Sequence, residues 1–241
     1  MARAPSPPKS VRRQTLHAAK DHILVQGEVV YAAALLQDAF YGVFRCALSL
    51  ERPDEFGAEI RFHDHALAIW HVIQSDSSQR AMAMAAVSTL PTKLPLRRAV
   101  ISLTWANRQA ADLAEYRNVI AHNPVMFHGR PSGKRIVWIP TFGGEGARPS
   151  HRARLALIQG LRFWQMLRDD LIDLGAYVRA VTQQVRRVDV ERGGAELGGV
   201  PKSWPRRPRL RLSSRIQEIK RTLGRANPPS TRSTPRKPSR G

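Results

Sequence analysis

Residues 115–125 read EYRNVIAHNPV, and three side chains in this run suit phosphodiester chemistry: Arg117, Asn118 and His122. Arginine is permanently cationic and offers a planar fork of donors to a phosphate whose oxygens gain charge in a transition state. Histidine exchanges a proton near neutral pH, so it can act as general base or general acid. Asparagine adds a neutral hydrogen bond that orients a phosphate or an imidazole. RNA brings its own nucleophile, a 2′-OH that must lose a proton while the leaving 5′-oxygen gains one. With 32 Arg and 8 His in the chain, an Arg-x4-His spacing arises by chance about once. Arg12 and His17 form the other such pair, near the N-terminus. Only four Asn are present, so an Asn directly after the Arg lowers the chance expectation to roughly 0.02.

The run Tyr116-Arg117-Asn118-Val119-Ile120-Ala121-His122 ends a predicted helix in a helix-rich chain. It resembles the Arg-polar-x3-His signature of the HEPN superfamily, ribonucleases built on a small helical bundle. The resemblance covers the motif and the helical region around it, and neither terminus. It implies a metal-independent endoribonuclease without a cofactor, acting through the 2′-OH as a homodimer whose two motifs line one cleft. A toxin–antitoxin or phage-defence role, with a neutralising antitoxin partner, is also what it implies. Arg117 then holds the phosphate, His122 moves protons, and Asn118 positions one of the two, with Glu115 and Tyr116 in support. At about 100° per residue, Asn118 and His122 lie some 40° apart, whereas Arg117 sits about 140° from His122. One protomer therefore does not readily close both on one phosphate, and a two-fold partner relieves the conflict.

The alternative is a non-catalytic dimeric helical scaffold or nucleic-acid-binding module. In that reading His122 meets the negative end of a helix dipole, and Arg117 pairs with Asp112 or another surface acid.

Hydrophobic spacing predicts a helix from about Gln14 to Leu50 and another over about 59–74. A third begins with Asp76 as N-cap and Gln79 reaching back in a capping box, and it ends at Pro91. The motif helix spans about Leu96 to His122, where Pro124 forbids continuation. Two β-prone runs in VMFHGRPSGKRIVWIP flank a Gly/Pro/Ser turn and predict a β-hairpin. A last long helix covers about Ser150 to Arg187, and SSRIQEIKRTLG reads as a short basic helix capped by Ser214 and Gln217. The expected class is all-α: a helical bundle over 14–188 with a small hairpin insertion at about 125–140. A disordered basic arm, 1–13, and a disordered Arg/Pro-rich tail, 189–241, flank it.

The net charge of +20 is concentrated at the ends, with +4 in 1–13, +12 in 186–241 and only +4 between. Basic arms of this kind fit RNA. The hairpin residues His128, Arg130, Lys134 and Arg135, and the tail residues Trp204, Arg206, Arg207 and Arg209, are the expected RNA contacts. Trp204 stands out as an exposed aromatic among arginines, whereas Trp70, Trp105 and Trp164 fall on apolar helix faces and belong to a core. Cys46 is the single cysteine, so neither a disulfide framework nor a zinc cluster is available. The histidines of HDH at 63–65 point about 200° apart on a helix and cannot share an ion. Without a secretory signal, and with Glu28 interrupting the best apolar stretch, the expectation is a cytoplasmic protein with no membrane span.

Overall fold

The apolar residues of four helices converge on one core, and their spacing decides which face each helix buries. A computed structural model describes residues 9–50, 67–73, 75–89, 96–122, 125–132, 135–142, 160–192, 203–212 and 214–215. Side chains are described within these ranges except over 9–19, 49–50, 187–192 and both strands. The helices are α1 (Lys9–Leu50), α2 (67–72), α3 (Asp76–Ser88), α4 (Leu96–His122) and α5 (Leu161–Arg192). The described residues are predominantly helical, as the all-α class requires. Strands β1 (Val125–Ser132) and β2 (Arg135–Phe142) pair antiparallel, Val125 opposite Phe142 and Ser132 opposite Arg135.

Helix α1 buries Val25, Val29, Ala32, Leu36, Phe40 and Val43, a three-to-four-residue recurrence that makes one continuous apolar stripe. Helix α5 lies parallel to it and presents Phe163, Trp164, Leu167, Leu171, Leu174 and Val178. Gly175 lies where the two backbones are close, and a Cβ there would make ordinary van der Waals contact with the Leu36 Cα at 3.5 Å. The contact is closed at its margin by Arg168, whose Nη1 donates to Glu28 at 2.6 Å and whose Nη2 lies 2.8 Å from Asp169. Glu28 first, and then Asp169, hold the Arg168 proton more firmly than usual. Helix α4 runs antiparallel to α5, with Trp105 edge-on to Tyr177 and Tyr116 tilted against Phe163. Its C-terminal end reaches α1, where Gln26 donates to the Ile120 carbonyl at 2.7 Å.

Several sequence expectations need correction. Helix α1 begins at Lys9, so residues 9–13 of the expected disordered arm are helical. Pro8 is the last proline before it, and the following VRRQTLHAA contains no helix breaker. The N-cap of α3 is Ser75, not Asp76: its hydroxyl accepts from the Ser78 amide at 3.3 Å. Gln79 does not reach back to the cap. Its amide donates to the Trp70 and Ile73 carbonyls at 2.8 and 3.0 Å and ties α2 to α3. The last helix is described from Leu161, and residues 150–159 lie outside the described residues.

Part of the tail is also not as expected. Helix α5 continues to Arg192, and residues 203–212 lie along α4 and α5 with Leu210 and Leu212 buried. A described segment of α1, Lys20–Leu48, is long and apolar enough to cross a membrane, with mean hydropathy 1.3. Glu28 therefore does not divide α1 as the sequence reading assumed, because the apolar run continues beyond it with few charges. In the fold, one face of this segment is packed against α3, α4 and α5.

Candidate functional site

Two surfaces carry the residues singled out by sequence, and they sit at opposite ends of α4. The first is the helix's C-terminal turn. Val119 and Ile120 are fully buried and fix the rotation of the helix, which leaves Asn118 and His122 exposed on a shared face. Tyr116 points inward against Phe163 and supports the helix rather than the surface.

Arg117 takes a different direction. Its Nη2 donates to the Asp76 carboxylate at the first turn of α3, forming an ion pair between the two helices. Its Nε is buried without a hydrogen-bond partner, and burial lowers the guanidinium's proton affinity below the ordinary arginine value. The acid is Asp76, not the neighbouring Asp112. Arg80, one turn further along α3, is buried too, with the same direction of shift from the same cause. Within one chain, then, Asn118 and His122 are together at the surface, and Arg117 braces α3 against α4.

The second surface is built by the segment 203–212, which straps α4 to α5. Asp170 is 1% exposed, on the same face of α5 as Leu167, Leu171 and Leu174. Its two oxygens accept from the backbone amides of Arg211 and Leu212 at 2.9 and 2.8 Å. The carboxylate therefore caps the helical turn that begins at Arg211, a place where free N–H groups favour an anion. Sequence reasoning did not find this role. The available signal was an acid in the middle of an apolar stripe, which needs a buried partner.

Trp204 is not an exposed base-stacking platform. It is half-buried, its Nε1 donates to Ser102 Oγ at 3.3 Å, and the Arg98 guanidinium covers its ring at 5.0 Å. Arg207 lies over Trp105 at 5.1 Å, again in cation–π geometry. Arg206, Arg207, Arg209 and Arg211 are exposed. A groove of about 700 Å³ runs beside the strap, lined by Asp173, Tyr177, Arg206, Arg209 and Arg211 among others. A second of about 690 Å³ lies on its other flank against Trp105 and Gln109. Arg206 and Arg209 thus form the wall of a cationic groove, roughly 25 Å along α4 from His122.

The remaining expected contacts, His128, Arg130, Lys134 and Arg135, have side chains outside the described residues, as do those of His63 and His65. The β1–β2 register sets His128 opposite Ile139 and Arg130 opposite Val137. His71 is exposed on α2, Trp70 and Trp164 are core residues, and Trp105 is half-buried against the core. Among the described residues, no three His, Cys, Asp or Glu side chains gather as a metal site would require.

Comparison with protein-family models, with curated proteins and with solved structures finds no match to this chain.

Proposed function

We propose that the chain is a HEPN-like, metal-independent endoribonuclease, working as a homodimer in the cytoplasm on RNA. The observation that carries the reading is the exposed Asn118–His122 pair on a helix end that buried Val119 and Ile120 hold in place. The imidazole of one His122 takes the 2′-OH proton, the 2′-oxygen attacks phosphorus, and the P–O5′ bond breaks. A second His122, from the other copy, supplies the proton to the 5′-oxygen, leaving a 2′,3′-cyclic phosphate and a 5′-OH. Asn118 orients the phosphate or the ring. Arg117 acts as a positioning residue while Asp76 holds it, and it contributes phosphate binding only when that pair opens. The strap grips RNA at a distance, through Arg206 and Arg209 in its groove and Arg207 beside it, in a salt-dependent way. A toxin or phage-defence role with an antitoxin partner belongs to the same reading through the motif resemblance alone.

The test is cleavage of mixed RNAs in EDTA by wild type and by His122→Ala, with melting temperatures measured in parallel. His122 is exposed, so the substitution leaves folding intact and the expected result is loss of cleavage at unchanged melting temperature. The Arg117–Asp76 pair favours a second reading, a non-catalytic dimeric nucleic-acid-binding scaffold, because it occupies the expected phosphate clamp structurally. RNA binding without cleavage by the wild type selects that reading.

A further inference from the structure

Helix α1 buries one face and leaves the other apolar. Ile23 (61% exposed), Leu24 (57%), Val30 (45%) and Tyr31 (66%) project into solvent, together with Gly27 and Ala34. At about 100° per residue, Lys20, Leu24, Gly27, Tyr31, Ala34 and Asp38 form one stripe opposite the buried face. A Cβ placed on Gly27 would meet nothing within 4 Å, so the stripe has a notch at its centre. Large exposed apolar faces of this kind mark association surfaces.

We propose that a second copy of this chain packs antiparallel on this face of α1, with the two-fold axis passing at the level of Val29. The pattern is self-complementary in that register. Leu24 meets the partner's Ala34, and Tyr31 fills the notch at the partner's Gly27. At the ends of the seam, Lys20 meets the partner's Asp38, and neither forms an ion pair with a described residue of its own chain. Each contact occurs twice, as an isologous two-fold interface requires. The stripe from Lys20 to Asp38 is roughly 27 Å long, five helical turns. Small residues opposite large ones let the axes approach to the usual 8–10 Å of packed helices. A lipid surface would use the same apolar side chains, but it gives no reason for this pairing of large with small and of cation with anion.

The seam has a consequence for the motif, and only this consequence rests on the ribonuclease reading. Gln26 binds the C-terminal end of α4 through the Ile120 carbonyl, on the edge of α1 that also carries Ile23 and Val30. A two-fold axis lying in the interface keeps that edge on the same side in both copies. The two Gln26 residues are about six residues apart along the seam, roughly 9 Å. With axes 8–10 Å apart, the two Gln26 backbones then stand roughly 13 Å from each other, and the α4 ends they hold lie farther out on that same side. Both His122-bearing turns thereby lie on one side of the dimer.

Light scattering coupled to gel filtration, done on the full chain without RNA, tests the seam independently of cleavage. Wild type runs as a dimer at micromolar concentration, and Leu24→Glu/Tyr31→Glu raises the dissociation constant by at least ~100-fold, because four carboxylates would be buried. Both positions are exposed, and unchanged helicity verifies the fold. Register is read by oxidation in a Cys46→Ala background: Leu24→Cys/Ala34→Cys forms a covalent dimer, and Leu24→Cys alone does not. A monomeric wild type, or a dimer that persists in the double glutamate variant, overturns the proposal. So does cross-linking by Leu24→Cys alone, which means parallel packing, or flotation with phosphatidylcholine–phosphatidylglycerol vesicles that the glutamates abolish.

Discussion

Replacing Asp170 by Ala should release the 203–212 strap while the α1–α4–α5 core stays folded. Asp170 accepts two backbone hydrogen bonds, at 2.9 and 2.8 Å, in a site with 1% exposure. A hydrogen bond to a charged group contributes about 1.5–3 kcal/mol, and each stranded buried donor adds a desolvation cost. Losing both bonds therefore costs about 3–6 kcal/mol at that end of the strap. Burial of Leu210 and Leu212 also opposes detachment, but the two Asp170 bonds are what fixes the backbone at this end of the strap. Amide hydrogen exchange reads this directly: the Arg211 and Leu212 amides should lose protection by at least two orders of magnitude, with those of Leu113 and Leu171 little changed. Asp170→Asn keeps one acceptor oxygen and should fall between. Wild-type protection of Arg211 and Leu212 in Asp170→Ala would refute the reasoning.

The Arg117–Asp76 pair bridges two helices at partial exposure, 20% and 40%, so solvent screens it. A double-mutant cycle with Arg117→Met and Asp76→Ala should give a coupling of about 1 kcal/mol by chemical denaturation, and a coupling near zero would remove it as a brace. Neutralising Arg206 and Arg209 to Gln should weaken single-stranded RNA binding and flatten the slope of log affinity against log salt by roughly 1.4. An unchanged slope would take the strap groove out of RNA recognition. Because Arg207 lies over Trp105, Arg207→Ala should also lower the melting temperature slightly, whereas Arg206→Ala should not.

The limits of α4 were legible in the sequence because Pro124 imposes a stop and the apolar residues recur at helical spacing. That Asn118 and His122 share a face followed from the same wheel, and the burial of Val119 and Ile120 is what puts that face at the surface. The strap was not legible. Its composition, WPRRPRLRL, has the charge and proline content of an unfolded segment, and it is held by a partner far away in sequence, Asp170 on α5. Local pattern cannot supply such a long-range cap. Asp76 was misread for a related reason: Ser75 is the better-placed cap, which frees the Asp76 carboxylate for Arg117 on another helix. The start of α1 at Lys9 shows basic residues continuing a helix that their charge alone would have assigned to an arm.

The most direct measurement of the central claim is end-group analysis of RNA incubated with the full chain in EDTA. A fluorescent RNA and the same strand with a 2′-deoxy sugar at the cut site are compared. The expected products are 2′,3′-cyclic phosphate and 5′-OH ends from the RNA, with no product from the 2′-deoxy strand and none from either with His122→Ala. Cleavage that survives His122→Ala, or that tolerates the missing 2′-OH, would contradict it.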